Sequence, residues 1–191
     1  MQESVLEPLL ERLVERAKKL KPGNGMEKDS RMGPMHTETQ RAEVEAQVQD
    51  AIDKGAKVLF GGGRPQGPEY DKGNFINATI LVDVPDDSRM VTEEVFGPAL
   101  PVMRIKDLDE GLARANNSPF GLGSSIWTSS MADAHRAVRE LQAGYTWVNA
   151  LQIAHDELPF GGTKESGFGK EHGIEAFYQY TEQKSVVYGG L

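Results

Sequence analysis

The sequence predicts an α/β fold, a mostly parallel sheet flanked by helices, and three patterns predict it. From residue 99 to 149, short apolar runs alternate with stretches of helical period. That is the arrangement of parallel strands joined by helices packed on the sheet faces. Nearer the N-terminus, two apolar helical stripes each follow a Ser/Thr-x-x-Glu/Gln signature. No internal repeat of roughly 20–50 residues and no low-complexity segment breaks the pattern.

The elements follow in order. Ser4-Val-Leu-Glu7 has capping-box spacing, and Val5, Leu9, Leu13 and Ala17 with Leu6, Leu10 and Val14 form one broad stripe. Pro8 falls in the first turn of that helix, where proline costs least, and Pro22-Gly23 ends it. After a loop through Met35, Thr37-Glu-Thr-Gln40 is a second capping box, with Val44, Val48, Ala51 and Ile52 on its apolar face until Gly55. "KVLFGGG" reads as a short buried strand ending in a glycine turn, and "FINATILVDV" as a longer strand. "ALPVMRI" is the next strand, and Asp107-Leu-Asp-Glu110 caps a helix running to Asn116-Asn117. "LGSSIWT" is a strand, and Ser130 caps a helix with Met131, Ala134, Val138 and Leu141 facing inward, stopped by Gly144. "YTWVN" is a strand, 150–173 a glycine-rich loop, "IEAFYQYT" a short helix and "KSVVYG" a last strand.

A chain of 191 residues suits one domain with a real core. Its net charge of −8, with no basic stripe, argues against nucleic acid and anionic membranes as partners. No apolar run approaches the roughly 20 residues of a membrane span, and the first residues lack the basic and apolar regions of a signal peptide. The cytoplasm is the expected location. The chain has no cysteine, which excludes disulfides, thiolate zinc sites and thiol catalysis by its own residues.

Three clusters invite chemistry. "PFGGTKESGFGKEHG", residues 159–173, is glycine-rich like a phosphate cradle, but both the Walker and the dinucleotide spacings fail, so a compact loop needing positive φ angles is favoured. His155-Asp156-Glu157 are contiguous and cannot all aim at one ion, so no metal site is expected. Ser166 with His172 lacks the strand–elbow–helix setting of a hydrolase nucleophile. In "VTEEVFGPALPV", residues 91–102, Glu93 and Glu94 are adjacent. In an extended segment neighbours point in opposite directions, so the two cannot flank one bond as a glycosidase pair does. One faces a site and the other solvent or a cap.

In this order, "EEVFGP", "ANNSPFGLGSSIWT", "LQAGYTWVN", "PFGGTKESGFGKEHG" and "YTEQKSVV" resemble the aldehyde dehydrogenase superfamily over essentially the whole chain. The resemblance implies that Glu94 contacts the nicotinamide ribose of NAD or NADP, since a carboxylate accepts hydrogen bonds from ribose hydroxyls. It implies that Phe96 packs near the nicotinamide and that Gly97-Pro98 fixes the turn presenting both. Phe160 matches the aromatic lining the substrate tunnel. Residues 151–156, with Ala154 and His155, match the loop that shapes substrate choice.

The departures shape the expectation. The family's nucleophile is a cysteine, and its dinucleotide-binding domain, general-base Glu and oxyanion-hole Asn precede that cysteine. Residues 1–183 are therefore expected to be a partial catalytic domain, truncated before its first strand, and 184–191 an oligomerisation strand. The implied reaction is NAD(P)-dependent oxidation of an aldehyde to a carboxylic acid, with homo-oligomeric assembly. This chain alone is expected to be inactive, to hold no cofactor tightly and to contribute no catalytic residue. The alternative is a catalytically dead interaction module that associates with itself or a full-length paralogue. A third reading, a hydrolase using Glu93, Glu94 or His155, fails on the geometry above.

Overall fold

The computed structural model describes residues 1–150 and 153–190, which divide into two compact units, Met1–Gly111 and Leu112–Leu191. In the first unit, helix α1 (Glu3–Ala17) and helix α2 (Glu38–Asp53) precede strand β1 (Lys57–Phe60), strand β2 (Thr79–Val82), the one-turn helix α3 (Arg89–Thr92) and strand β3 (Ala99–Val102). Helix α4 (Leu108–Asn116) follows. The sheet order is β1-β2-β3, with β2 and β3 parallel and β1 antiparallel to β2.

Side chains alternate across this sheet, and each face meets its own helix. Ile80 and Val102, with Phe60 and Val82 beside them, pack on Leu6, Leu10 and Ala17 of α1. Leu81 faces the opposite way, onto Val48 and Ala51 of α2 and Met90 of α3, with Val95, Ala99 and Met103 at the margin. Leu81 is fully buried.

Several expectations change. The α1 capping box does not form: the helix starts at Glu3, and its N-cap, Gln2, makes no side-chain cap bond. The main chain supplies the partner instead, because Gln2 bridges to Ile105 and the Glu3 N–H donates to the Ile105 carbonyl at 3.1 Å. Pro8 therefore lies in the second turn, where its ring removes one helical bond. The helix ends at Ala17, not at Pro22, and Pro22 pairs with Met32. Val5 and Leu9 are exposed, so the buried stripe is narrower than the apolar one. Strand β1 is mostly exposed, since it is an edge strand with a bulge between Val58 and Phe60. Strand β2 is four residues long and ends at Val82, just before Asp83, which has φ 55°.

The second unit contains strands β4 (Phe120–Gly121) and β5 (Gly123–Ile126), helix α5 (Met131–Glu140), strands β6 (Tyr145–Val148) and β7 (Thr163–Lys164), and helix α6 (Glu175–Gln179). Strands β5 and β6 are parallel and joined through α5, as the alternation predicts. Strands β4 and β7 form a separate antiparallel pair, so the loop expected to be irregular contributes a strand, β7. Ser130 caps α5 as expected, with its oxygen accepting from the Asp133 N–H at 3.2 Å. The buried face of α5 is Ala134 and Ala137, whereas Met131 and Val138 are exposed. The helix stops at Glu140, four residues before Gly144. Residues 181–190 carry no regular structure within the single chain, and Val187 and Tyr188 are almost fully exposed.

The two faces of β2 yield a stability test. Leu81→Ala should cost about 2–5 kcal/mol in equilibrium urea unfolding, the range for a fully buried leucine. Leu100→Ala, at a 43% exposed position on β3, should cost less than about 1 kcal/mol. Equal losses would show that the sheet is not the core of the first unit.

Candidate functional site

One side of helix α2 grips the segment 88–97. Thr37 sets the helix start, its hydroxyl accepting from the Gln40 N–H at 3.1 Å. The reciprocal half of the capping box is absent, because the Gln40 side chain donates to the Phe96 carbonyl at 3.0 Å instead. Two turns on, buried Gln47 donates from Nε2 to the Glu94 carbonyl at 3.1 Å and to Glu93 Oε2 at 3.3 Å. Val44 lies between them on the same helical row. A Cβ on Gly97 would stand 2.7 Å from Val44 Cγ2, so only glycine lets the turn approach the helix this closely.

The start of the segment is held by charge. Asp50 accepts from the Arg89 backbone N–H at 2.8 Å, which caps α3 from outside and pulls the Asp50 carboxyl below its ordinary pKa. Arg89 Nε donates to both oxygens of Glu93, at 2.9 and 3.0 Å, and the guanidinium also pairs with Glu43. The Arg89 bond is the main cause that lowers the Glu93 carboxyl, with the Gln47 bond second. The same Glu93 bond raises Arg89.

Glu94 is different. Its neighbour Glu93 is extended, at φ −119° and ψ 165°, so the two side chains diverge. Among the described residues the Glu94 carboxylate has no hydrogen bond or ion pair, and it is exposed. Phe96, two residues on, is 68% exposed. Of the adjacent pair, Glu93 is the one held by other side chains, Arg89 and Gln47. Gln47 and α3 were not foreseen. A polar residue inside the apolar row Val44, Val48, Ala51 was the available signal for Gln47. A single turn of helix is too short to show a period.

The remaining site residues belong to the second unit. Phe160 is half-buried, its backbone paired both ways with Glu171 at 2.7 Å. Its ring lies 5.7 Å from that of Tyr145, which in turn stacks on Trp147 at 4.5 Å. Ala154 and His155 are exposed, and the expected loop 151–156 lies partly outside the described residues. Two hooks hold its described part. The Trp147 indole donates to the Ile153 carbonyl at 2.9 Å, and His172 Nδ1 lies 3.0 Å from Asp156 Oδ1.

His172 is thus engaged with Asp156, while the Ser166 hydroxyl accepts from the Gly121 N–H at 2.9 Å. The glycine-rich loop folds onto itself. Gly167, Gly169 and Gly173 have positive φ, and the Lys170 ammonium donates to the Gly161 and Gly162 carbonyls at 2.8 and 3.2 Å. Among the described residues no group of three or more His, Asp or Glu could hold a metal ion, and no helix is long and apolar enough to cross a membrane.

The profile of the aldehyde dehydrogenase family matches residues 1–186. The chain belongs to that family. A betaine aldehyde dehydrogenase of Brucella anthropi is 41% identical over 94% of this chain. The chain spans 37% of that enzyme's length. Among solved structures, a 3,6-anhydro-L-galactose dehydrogenase superposes with a TM-score of 0.92 at 36% identity, covering 96% of this chain and 38% of its own. A betaine aldehyde dehydrogenase from Staphylococcus aureus in complex with NAD+ superposes with a TM-score of 0.88 at 32% identity, covering 94% of this chain and 36% of its own. The family carries the α/β fold read from the sequence.

The approach of Gly97 to α2 makes a direct test. Gly97→Ala should destabilise the first unit by about 1–3 kcal/mol through overpacking. Gly25→Ala, at a site with no atom within 4 Å of the added methyl, should be neutral within about 0.5 kcal/mol. Thermal unfolding of both variants checks the contrast, and equal behaviour would remove Gly97 from the grip.

Proposed function

We propose that this chain supplies the C-terminal share of an NAD(P)-dependent aldehyde dehydrogenase, which oxidises an aldehyde to a carboxylic acid. The supporting observation is the pairing of an anchored loop with a free carboxylate. Helix α2 fixes residues 93–97, while the Glu94 carboxylate and the Phe96 ring stay unengaged on that loop. A carboxylate so placed accepts from two vicinal hydroxyls, and an aromatic ring beside it suits the flat face of a nicotinamide. Glu94 and Phe96 are the proposed cofactor contacts, and Ala154, His155 and Phe160 the proposed substrate contacts. The chemistry needs a thiolate to form the hemithioacetal, and this chain has no cysteine.

The test joins this chain to the upstream part of a family member that carries the nucleophile and the dinucleotide-binding domain. This chain alone should produce no NADH from an aldehyde and NAD, and the chimera should restore turnover. Within the chimera, Glu94→Gln should slow hydride transfer by about 1.5–3 kcal/mol, the scale of a charge-assisted hydrogen bond, with little change in NAD affinity. Glu93→Gln should do less, because Glu93 is directed away from Glu94 and the glutamine keeps an acceptor for Arg89. NADH produced by this chain alone, or equal effects of the two substitutions, would sink the reading.

For the C-terminal residues we propose pairing with another chain, as an oligomerisation strand at 184–191. Val186 and Tyr188 alternate with Ser185 and Val187, and the valines and the tyrosine are exposed in the single chain. Unpaired apolar backbone of this kind recruits a partner strand. Light scattering over a concentration series should show self-association that Val186→Lys weakens. A strict monomer at high micromolar concentration would contradict it.

A further inference from the structure

Gln47 sits on the apolar side of α2 at 2% exposure. Both hydrogens of its Nε2 are used, one on the Glu93 carboxylate and one on the Glu94 carbonyl, which fixes the amide plane between two consecutive residues of the loop. Its Oε1 is buried and has no partner among the described residues. A methionine of similar length would fill the same space without that unpaired oxygen. The glutamine is therefore poorly suited to filling the core and well suited to holding the loop.

We propose that Gln47 is a positioning residue for the cofactor contact, coupling the side chain of Glu93 to the main chain of Glu94 and so fixing where the Glu94 carboxylate is presented. The proposal rests on the reading of Glu94 as the ribose contact. The chain of constraint begins at Glu43 and Asp50, which hold the side chain and the backbone of Arg89. Arg89 clamps both oxygens of Glu93, and Glu93 and the Glu94 carbonyl share the Gln47 amide. Because Glu93 is extended, fixing its side chain inward directs that of Glu94 outward.

The charged groups around Glu93 are Arg89 on α3 and Glu43, Asp50 and Lys54 on α2, with Asp87 paired to Lys54 ahead of α3. The Glu93 carboxyl is lowered in the folded chain. Its contribution is thus complete above the ordinary glutamate value of about 4.3 and is lost as pH falls through the lowered value.

The experiment is NMR on the full, isotope-labelled chain between neutral pH and pH 3. The Gln47 side-chain amide and the backbone amides of Glu94 and Phe96 should titrate together with the Glu93 carboxyl carbon, at a midpoint below about 4.3. In Gln47→Met, the titration of the Glu94 and Phe96 amides should vanish, and the Glu94 carbonyl carbon should shift because it loses the bond it accepts. The amides of Ile80 and Leu81 should not move. Glu93→Gln should abolish the titration while leaving the Glu94 carbonyl carbon near its original position. A Gln47 amide that ignores Glu93, a titration at Glu94 and Phe96 that persists in Gln47→Met, or equal shifts at Ile80 and Leu81 would each overturn the proposal. In the chimera, hydride transfer separates the underlying reading. Slower transfer in both Glu94→Gln and Gln47→Met, with NAD affinity kept, supports both. No effect of either substitution would overturn the ribose contact and the cofactor role together. Slower transfer in Glu94→Gln alone would overturn the role of Gln47.

Discussion

The grip of α2 on residues 88–97 is the constraint on which the first unit depends. It is built from helical spacing alone. Gln40, Val44 and Gln47 recur every three to four residues, and Glu43, Asp50 and Lys54 extend the same side of the helix. The segment they hold connects β2 to β3. Its position decides whether the two strands lie parallel with Val82 opposite Val102 and Ile80 opposite Leu100. The polar bonds fix the segment at its start and along residues 93–96, and the apolar approach of Gly97 to Val44 closes its end. Apolar burial of Leu81, Met90 and Ala51 beneath it makes the arrangement stable, while the hydrogen bonds make it specific.

The second unit solves a related problem with backbone instead of side chains. Its glycine-rich loop would be a poor place for buried polar groups unless each carbonyl found a donor. Lys170 supplies one ammonium to two of them, and Thr163 and Ser166 close onto Gly121. A Cβ on Gly144 would collide with the Gly161 carbonyl, so the glycines here serve close backbone approach. That is the reason the loop resembles a phosphate cradle in composition without its spacing. Asn149 continues the theme, at φ 49°, with its amide paired both ways to the Thr128 backbone at 2.7 and 2.8 Å, extending the β5–β6 ladder past its end.

Much of this was legible in the sequence where the signal is local. Thr37 and Ser130 were read as caps and are caps, because a side-chain oxygen and an N–H three residues on need nothing else. Gly55 ends α2 with φ 107° for an equally local reason. The readings that failed depended on partners distant in sequence. Ser4 has the spacing of a cap, yet the Ile105 carbonyl reaches the helix start first. Val5, Leu9, Met131 and Val138 have the period of a core face, but burial depends on what lies opposite, which periodicity does not encode. Gln47 was missed for the same reason, since its acceptors are 46 and 47 residues away.

The adjacent glutamates show how far local reasoning carries a functional question. Alternation in extended backbone already forbids Glu93 and Glu94 from flanking one bond, which removes a paired-carboxylate hydrolase on geometry alone. What alternation leaves open is which of the two is presented. Arg89, four residues before Glu93 on a turn of helix, resolves that choice, because an arginine at this spacing reaches Glu93 and not its neighbour. The clamp holds both oxygens of Glu93. The free carboxylate therefore owes its freedom to the bound one, and neither residue is interpretable without the other.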